Sequence, residues 1–173
     1  SSFYYNPAGL PRLDYQELSA MHMSLMEGTI YDYAAWAYPT PSLGGFGLAF
    51  MRLGTDDIIR HEGFVETGPF GYSYSQFLVS YGRRLRGHLS AGVTLKMLYQ
   101  SLDIYSDWGV GLDFGMIADP VKHLSIGLTV RDMIPATLEL NTAEETLPVT
   151  VVAGLALHDL ALSDRIGGTV SID

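Results

Sequence analysis

The chain of 173 residues has no cysteine, and only ten lysines and arginines stand against nineteen acids, for a formal net charge of −9. Without cysteine there is no disulfide framework, no thiolate metal site and no cysteine nucleophile. The few cations form one short cluster, Arg83, Arg84 and Arg86, which is no electrostatic footprint for nucleic acid. Charged residues of both signs reach 17% of the chain, below the quarter typical of a soluble domain. Long hydrophobic runs are missing too: no stretch approaches the roughly 20 consecutive apolar residues of a membrane-spanning helix. Ser1 to Leu10 lack the basic-then-apolar layout of a signal peptide, so the expectation is a mature or trimmed chain. Yet 47% of the residues are hydrophobic, too many for a disordered chain. The apolar residues are therefore interspersed, which is how a strand exposes them on one side.

From Leu89 the period is two: Leu89, Ala91, Val93, Leu95, Met97 and Tyr99 alternate with Ser90, Gly92, Thr94, Lys96, Leu98 and Gln100. The next segment sets Trp108, Val110, Leu112, Phe114 and Met116 against Gly109, Gly111, Asp113, Gly115 and Ile117. A third follows the turn Ala118 to His123, placing Leu124, Ile126, Leu128 and Val130 opposite Ser125, Gly127, Thr129 and Arg131. A fourth runs from Val149 to His158. Upstream, Leu18 to Leu25, Ile30 to Tyr38, Leu43 to Leu53 and Tyr72 to Arg83 read as strands, and Ile166 to Ile172 begins another. The second face is built mainly of Gly, Ser and Thr. A solvated strand face carries larger, charged, strand-favouring residues, and glycine in strands marks close backbone approach or tight curvature. A soluble β-sandwich binding domain, with this face in water, is the competing reading.

Connections alternate in length. Those near Leu85 to Gly87, Asp119 to Lys122 and Asp159 to Ser163 are short, and those at Thr55 to Gly71 and Ile134 to Pro148 are long. In an up-and-down meander, alternate connections share an end. Short turns on one rim and long loops on the other are the asymmetry of outer-membrane β-barrels. This reading puts Arg83, Arg84, Arg86 and Lys122 on a periplasmic rim, and the acids from Asp56 to Glu66 and from Glu139 to Glu145 in outer loops. Tyr99, Tyr105 and Trp108 are expected in an outer aromatic girdle.

The opening Asn6-Pro7-Ala8-Gly9-Leu10 and the strand Leu18 to Ser24 resemble the N-terminal signature of the PorV/PorQ family, within the wider FadL-like outer-membrane proteins. Tyr81-Gly82, Leu89 to Lys96, Gly111 to Gly115 and Leu124 to Arg131 follow that family's hairpins in order, so the resemblance covers roughly Phe3 to Leu157. It implies an all-β, antiparallel, up-and-down transmembrane barrel of about fourteen strands in the bacterial outer membrane. This chain would hold the N-terminal part, one domain over 1–173, with 1–17 a plug or periplasmic segment and 18–173 about nine strands. The resemblance also implies a non-enzymatic role: accepting the signal domain of secreted cargo proteins in type IX secretion and passing it to other secretion components. The alternative within the superfamily is a channel for hydrophobic small molecules. Expected partners are outer-membrane lipid and one of these cargoes, with no cofactor, no metal and no nucleic acid.

Lys96 and Asp113 fall on the inward faces of neighbouring strands, and a hairpin centred near Ile104 and Tyr105 sets them opposite one another, with Arg131 diagonal to Asp113. They are the polar lumen candidates, either a ligand site or an ion pair satisfying its own members. The long connection Thr55 to Gly71 carries Ile58, Ile59, Phe64 and Phe70 among acids, candidates for an outer partner surface or for a loop folded over the mouth. The five histidines lack metal-helix spacing, with His88, His123 and His158 beside short turns. No nucleophile elbow, phosphate loop or dinucleotide fingerprint occurs. The enzyme class left open is a hydrolase that assembles Ser, His and acid across strands.

Overall fold

A computed structural model of the chain describes residues 2–62, 65–134, 137–140, 143–146, 148–163 and 166–172. Its architecture is all-β. The strands are β1 (Glu17–Ser24), β2 (Thr29–Thr40), β3 (Gly44–Glu62), β4 (Val65–Arg86), β5 (Leu89–Leu102), β6 (Tyr105–Val121), β7 (Leu124–Ile134), β8 (Thr137–Leu140), β9 (Ala143–Thr146), β10 (Thr150–Ser163) and β11 (Ile166–Ile172). Nine of them make one sheet in the order β1-β2-β3-β4-β5-β6-β7-β10-β11, and β8 and β9 make a separate hairpin. Neighbours in the large sheet are antiparallel. Each strand thus pairs with those before and after it, the hairpin β8-β9 excepted. Among the described residues β1 and β11 are the two edges and do not pair, so the sheet is an open antiparallel meander.

The alternation sorts side chains as the period of two requires, with the apolar stripe on the exposed side. Along β5, Ser90, Gly92, Thr94, Lys96, Leu98 and Gln100 are buried, while Val93 and Leu95 are each 42% exposed. Trp36, Leu48, Phe77, Val79 and Trp108 are exposed on the same side. Tyr99 stacks at a tilt on its register partner Trp108, ring centroids 4.7 Å apart. Tyr105 pairs with Leu102, a register position of the opposite face, so it does not join them in a girdle.

Two connections differ from expectation. Thr55 to Gly71 is no loop: β3 and β4 continue their pairing through Ile58↔Phe70 to Glu62↔Val65, with two register shifts. The segment Ile134 to Pro148 contains the hairpin β8-β9. Alternation failed as a guide there because acids and glycines interrupt it, whereas the ladder needs only backbone groups. The short turns lie closer to the strand ends than expected: β4 reaches Arg86, β6 reaches Val121, and His123 turns the chain with φ 73°.

What covers the second face is the N-terminal segment, with short 3-10 turns at Ser2–Tyr4 and Pro7–Arg12. Asn6 caps the second turn, its side chain accepting from the Ala8 amide at 3.0 Å, and Pro7 follows where a helix start tolerates it. Phe3, Pro7, Ala8 and Leu10 are buried. They rest on a row of glycines that runs across four strands in register: Gly45↔Gly82↔Gly92↔Gly115. A Cβ at Gly45 would lie 2.6 Å from the Leu10 carbonyl carbon, one at Gly92 2.5 Å from that of Pro7, and one at Gly47 2.9 Å from the Phe3 ring. The row is what brings backbone against backbone.

Gly92→Val is expected to destabilise the fold by about 1–3 kcal/mol, the usual cost of overpacking, and to free the N-terminus. Limited proteolysis at Tyr4 and Tyr5 reads the second effect. Wild-type protection in the variant would show that the seat is not glycine-dependent.

Candidate functional site

The site lies on the covered face, where β5, β6 and β7 meet the N-terminal segment. Lys96 and Asp113 are each 5% exposed. The Lys96 ammonium lies 2.8 Å from Asp113 Oδ1 and 2.5 Å from Asp132 Oδ1. Asp113 Oδ1 also accepts the Asp132 backbone N–H at 2.8 Å. One cation thus bridges two carboxylates, and a main-chain donor shares the second negative charge. Burial without this pairing would cost several kcal/mol per ion.

The strands set this up through register rather than direct opposition. Lys96 pairs with Gly111, and Asp113 pairs with Thr94, so the ion pair is diagonal and not face to face as expected. The turn is centred one residue earlier than the sequence suggests, since Leu102 pairs with Tyr105. Gly111 supplies the room: a Cβ there would lie 3.2 Å from Lys96 Cε and 3.3 Å from Asp132 Oδ1. Between β6 and β7 the register shifts from Leu112↔Ile134 to Phe114↔Val130, and Asp132 takes a left-handed φ of 53°. That irregularity turns Asp132, not Arg131, toward Asp113. No linear pattern announces it, although Asp is among the residues that tolerate such a φ.

Arg131 stands beside the ion cluster without joining it. Its guanidinium carbon sits 5.5 Å from the centre of the Tyr5 ring, a cation–π distance. Among the described residues its buried Nε has no hydrogen-bond partner. Tyr4 lies nearby in the N-terminal segment; burial raises its phenol above the ordinary value, and the Arg131 charge pulls it back down. A hollow of about 230 Å³ opens among Tyr4, Gln76, Lys96, Asp113 and Arg131, and Arg131 also borders a neighbouring, mostly apolar hollow of about 290 Å³ with Ile117, Val152 and Leu155.

A second anchor was not singled out from the sequence. Arg12 forks onto Asp119, Nη1 to Oδ2 at 2.8 Å and Nη2 to Oδ1 at 2.9 Å, and Ser125 donates to the same carboxylate at 2.6 Å. Asn6 Nδ2 donates to the carbonyls of Met116 at 3.3 Å and Leu128 at 3.4 Å. The N-terminal segment is therefore fixed to β6 and β7 at both ends of its second turn. The signal was present as an arginine just after the Asn-Pro motif and an aspartate in a short turn, but 107 residues separate them.

Of the outer candidates, Ile58 and Ile59 lie in β3 and Phe70 in β4, which makes them strand residues of one long hairpin. Phe64 lies outside the described residues. Among the described residues no three His, Asp or Glu side chains gather as a metal ion requires; His22 pairs with Asp32 at 2.6 Å.

Lys96→Met should cost about 3–5 kcal/mol, because it leaves the buried Asp113 carboxylate, and the partly buried Asp132 beside it, without their cation. Adding Asp113→Asn should recover part of that loss, and thermal unfolding of the single and double variants measures it. Equal, additive losses would mean that the pair is not coupled. No protein-family model matches the sequence, and neither a curated protein nor a solved structure is significantly similar to it.

Proposed function

We propose that the chain is part of an outer-membrane β-barrel of PorV/PorQ type, a non-enzymatic component that binds secreted cargo in type IX secretion. The observation that carries the membrane half of the reading is the inverted sorting of side chains: the polar face is buried and the apolar face exposed. A sandwich would bury that apolar stripe against a second sheet; here the covering element sits on the opposite face.

The dimensions support it. On β5 the positions of the apolar stripe, exposed at Val93, Leu95 and Met97 and half-buried at its ends, run from Leu89 to Tyr99, which at ~3.3 Å per residue and a tilt of ~40° spans roughly 25 Å, the height of a barrel's apolar band. Beyond Tyr99 and Trp108, the next outward row on β3 to β6 is Gly54, Ser73, Ser101 and Ser106, with Ile30 beside it on β2, so on those four strands the large apolar side chains end where an interface belongs. In lipid the open edges of β1 and β11 need partners, because unpaired backbone groups are costly there; the reading requires further strands to close the sheet. The family and the cargo rest on the resemblance of Asn6 to Leu10 and the ordered hairpins. A face filled by an internally paired Lys96–Asp113–Asp132 cluster and a seated N-terminal segment suits a barrel that binds at its mouth rather than one that conducts. A FadL-like channel for hydrophobic solutes is the second reading, favoured by the apolar hollow beside Arg131.

Leu95→Lys separates membrane from water. In a barrel wall it should lower stability in lipid by about 2–4 kcal/mol, while Lys on a solvated strand changes little. Urea unfolding in phospholipid vesicles is the measurement. Release of the wild-type chain from membranes without detergent, with Leu95→Lys neutral, would overturn the reading.

A further inference from the structure

Above the rows that carry Tyr99 and Trp108, the hairpin β3-β4 leaves its neighbours behind. β2 accompanies β3 only as far as Thr29↔Thr55, and β5 accompanies β4 only from Tyr72↔Leu102. The two strands nevertheless stay paired with each other to Glu62↔Val65. Among the described residues, Asp56 to Glu62 therefore has a strand on one side and none on the other, over about 23 Å at ~3.3 Å per residue. Such an edge presents a row of backbone donors and acceptors that a new strand can pair with.

The two free edges of the hairpin are not equivalent. Pro69 lies in β4 opposite Ile59, and proline within a sheet is tolerated where its nitrogen faces away from the ladder. It caps the β4 edge, where an added strand would meet no N–H. Residues of one antiparallel pair direct their backbone groups the same way, both inward or both outward. Ile59 then turns its N–H and C=O to the open side of β3. The hairpin's outer stretch is acidic in composition: between residues 56 and 66, Asp56, Asp57, Glu62 and Glu66 stand against Arg60. With a chain charge of −9, a second copy is electrostatically disfavoured as the occupant, and a cationic strand is favoured.

We propose that the open edge of β3 at Ile58 to Glu62 is a strand-addition site for an extended, lysine-bearing segment of another polypeptide. The added strand continues the line of β2 beyond Thr29 and pairs through main-chain hydrogen bonds, so backbone geometry gives affinity and alternate side chains give selectivity. It deepens the cargo-binding reading and depends on that reading only for the side of the membrane from which the segment arrives.

The test titrates the full chain in detergent micelles with a fluorescent nine-residue peptide of alternating Val and Thr carrying three Lys, read by anisotropy. Two control peptides carry Glu for Lys or N-methyl groups on alternate amides. Binding of the Lys peptide should weaken at least tenfold for either control and for Ile59→Pro, while Pro69→Thr keeps or strengthens it. Hydrogen exchange at Ile59 and His61 in the wild-type chain should slow when the peptide is bound, which reads the site even if Ile59→Pro disturbs the hairpin. Absence of binding, equal binding of the N-methylated peptide, or unslowed exchange at those amides would overturn the proposal. Membrane extraction is scored separately, so a chain that leaves membranes without detergent sinks the barrel reading and leaves the peptide result standing.

Discussion

The fold is organised around the contact between a row of cross-strand glycines and the backbone of Asn6 to Leu10. A sheet face normally holds its covering element at side-chain distance, about 10 Å from strand to strand. Here Gly45, Gly82, Gly92 and Gly115 remove the side chains from one row, and a chain segment lies directly on the sheet. Glycine weakens strands by roughly 0.5–1 kcal/mol each relative to alanine. That cost is offset by burying Phe3, Pro7, Ala8 and Leu10 and by the anchors at Asn6 and Arg12. The ion cluster depends on the same economy of space, since Gly111 is what lets the Lys96 stem lie across β6.

Much of the architecture was legible because alternation is a strong, local signal. The strands around Leu89 to Leu102 and Leu124 to Ile134 could be placed from period alone, and so could the end-to-end order of the meander. The face made of Gly, Ser and Thr was recognised as unlike a wet surface. Its purpose was not, since which glycines share a row depends on register, and register is set by turns whose centres moved by one or two residues. The long hairpin was misread as a loop for a related reason. Its acids and its Gly68-Pro69 pair look like loop chemistry, but a two-stranded ladder tolerates charge on both sides and proline on an edge.

The candidate site was legible in its parts and illegible in its geometry. Lys96 and Asp113 stood out as lone charges in apolar strands, and the structure joins them. Arg131 carried the same signal, yet a register shift hands its expected place to Asp132. Two adjacent residues, one cation and one anion, thus exchange roles because a single position adopts a left-handed backbone. Arg12 and Asp119 lie at the opposite limit: each looked ordinary, and only the docking of the N-terminus makes them a pair.

The seat also constrains the order in which the molecule is made. The first dozen residues are synthesised before the strands they rest on, but their glycine floor spans β3 to β6, and their polar anchors reach residues 110 and 122 positions further on. Contacts of that separation close late, after the intervening strands have paid their own loop entropy. The N-terminal segment therefore docks only after the strands beneath it have paired, and its docking reports that those four strands have reached correct register.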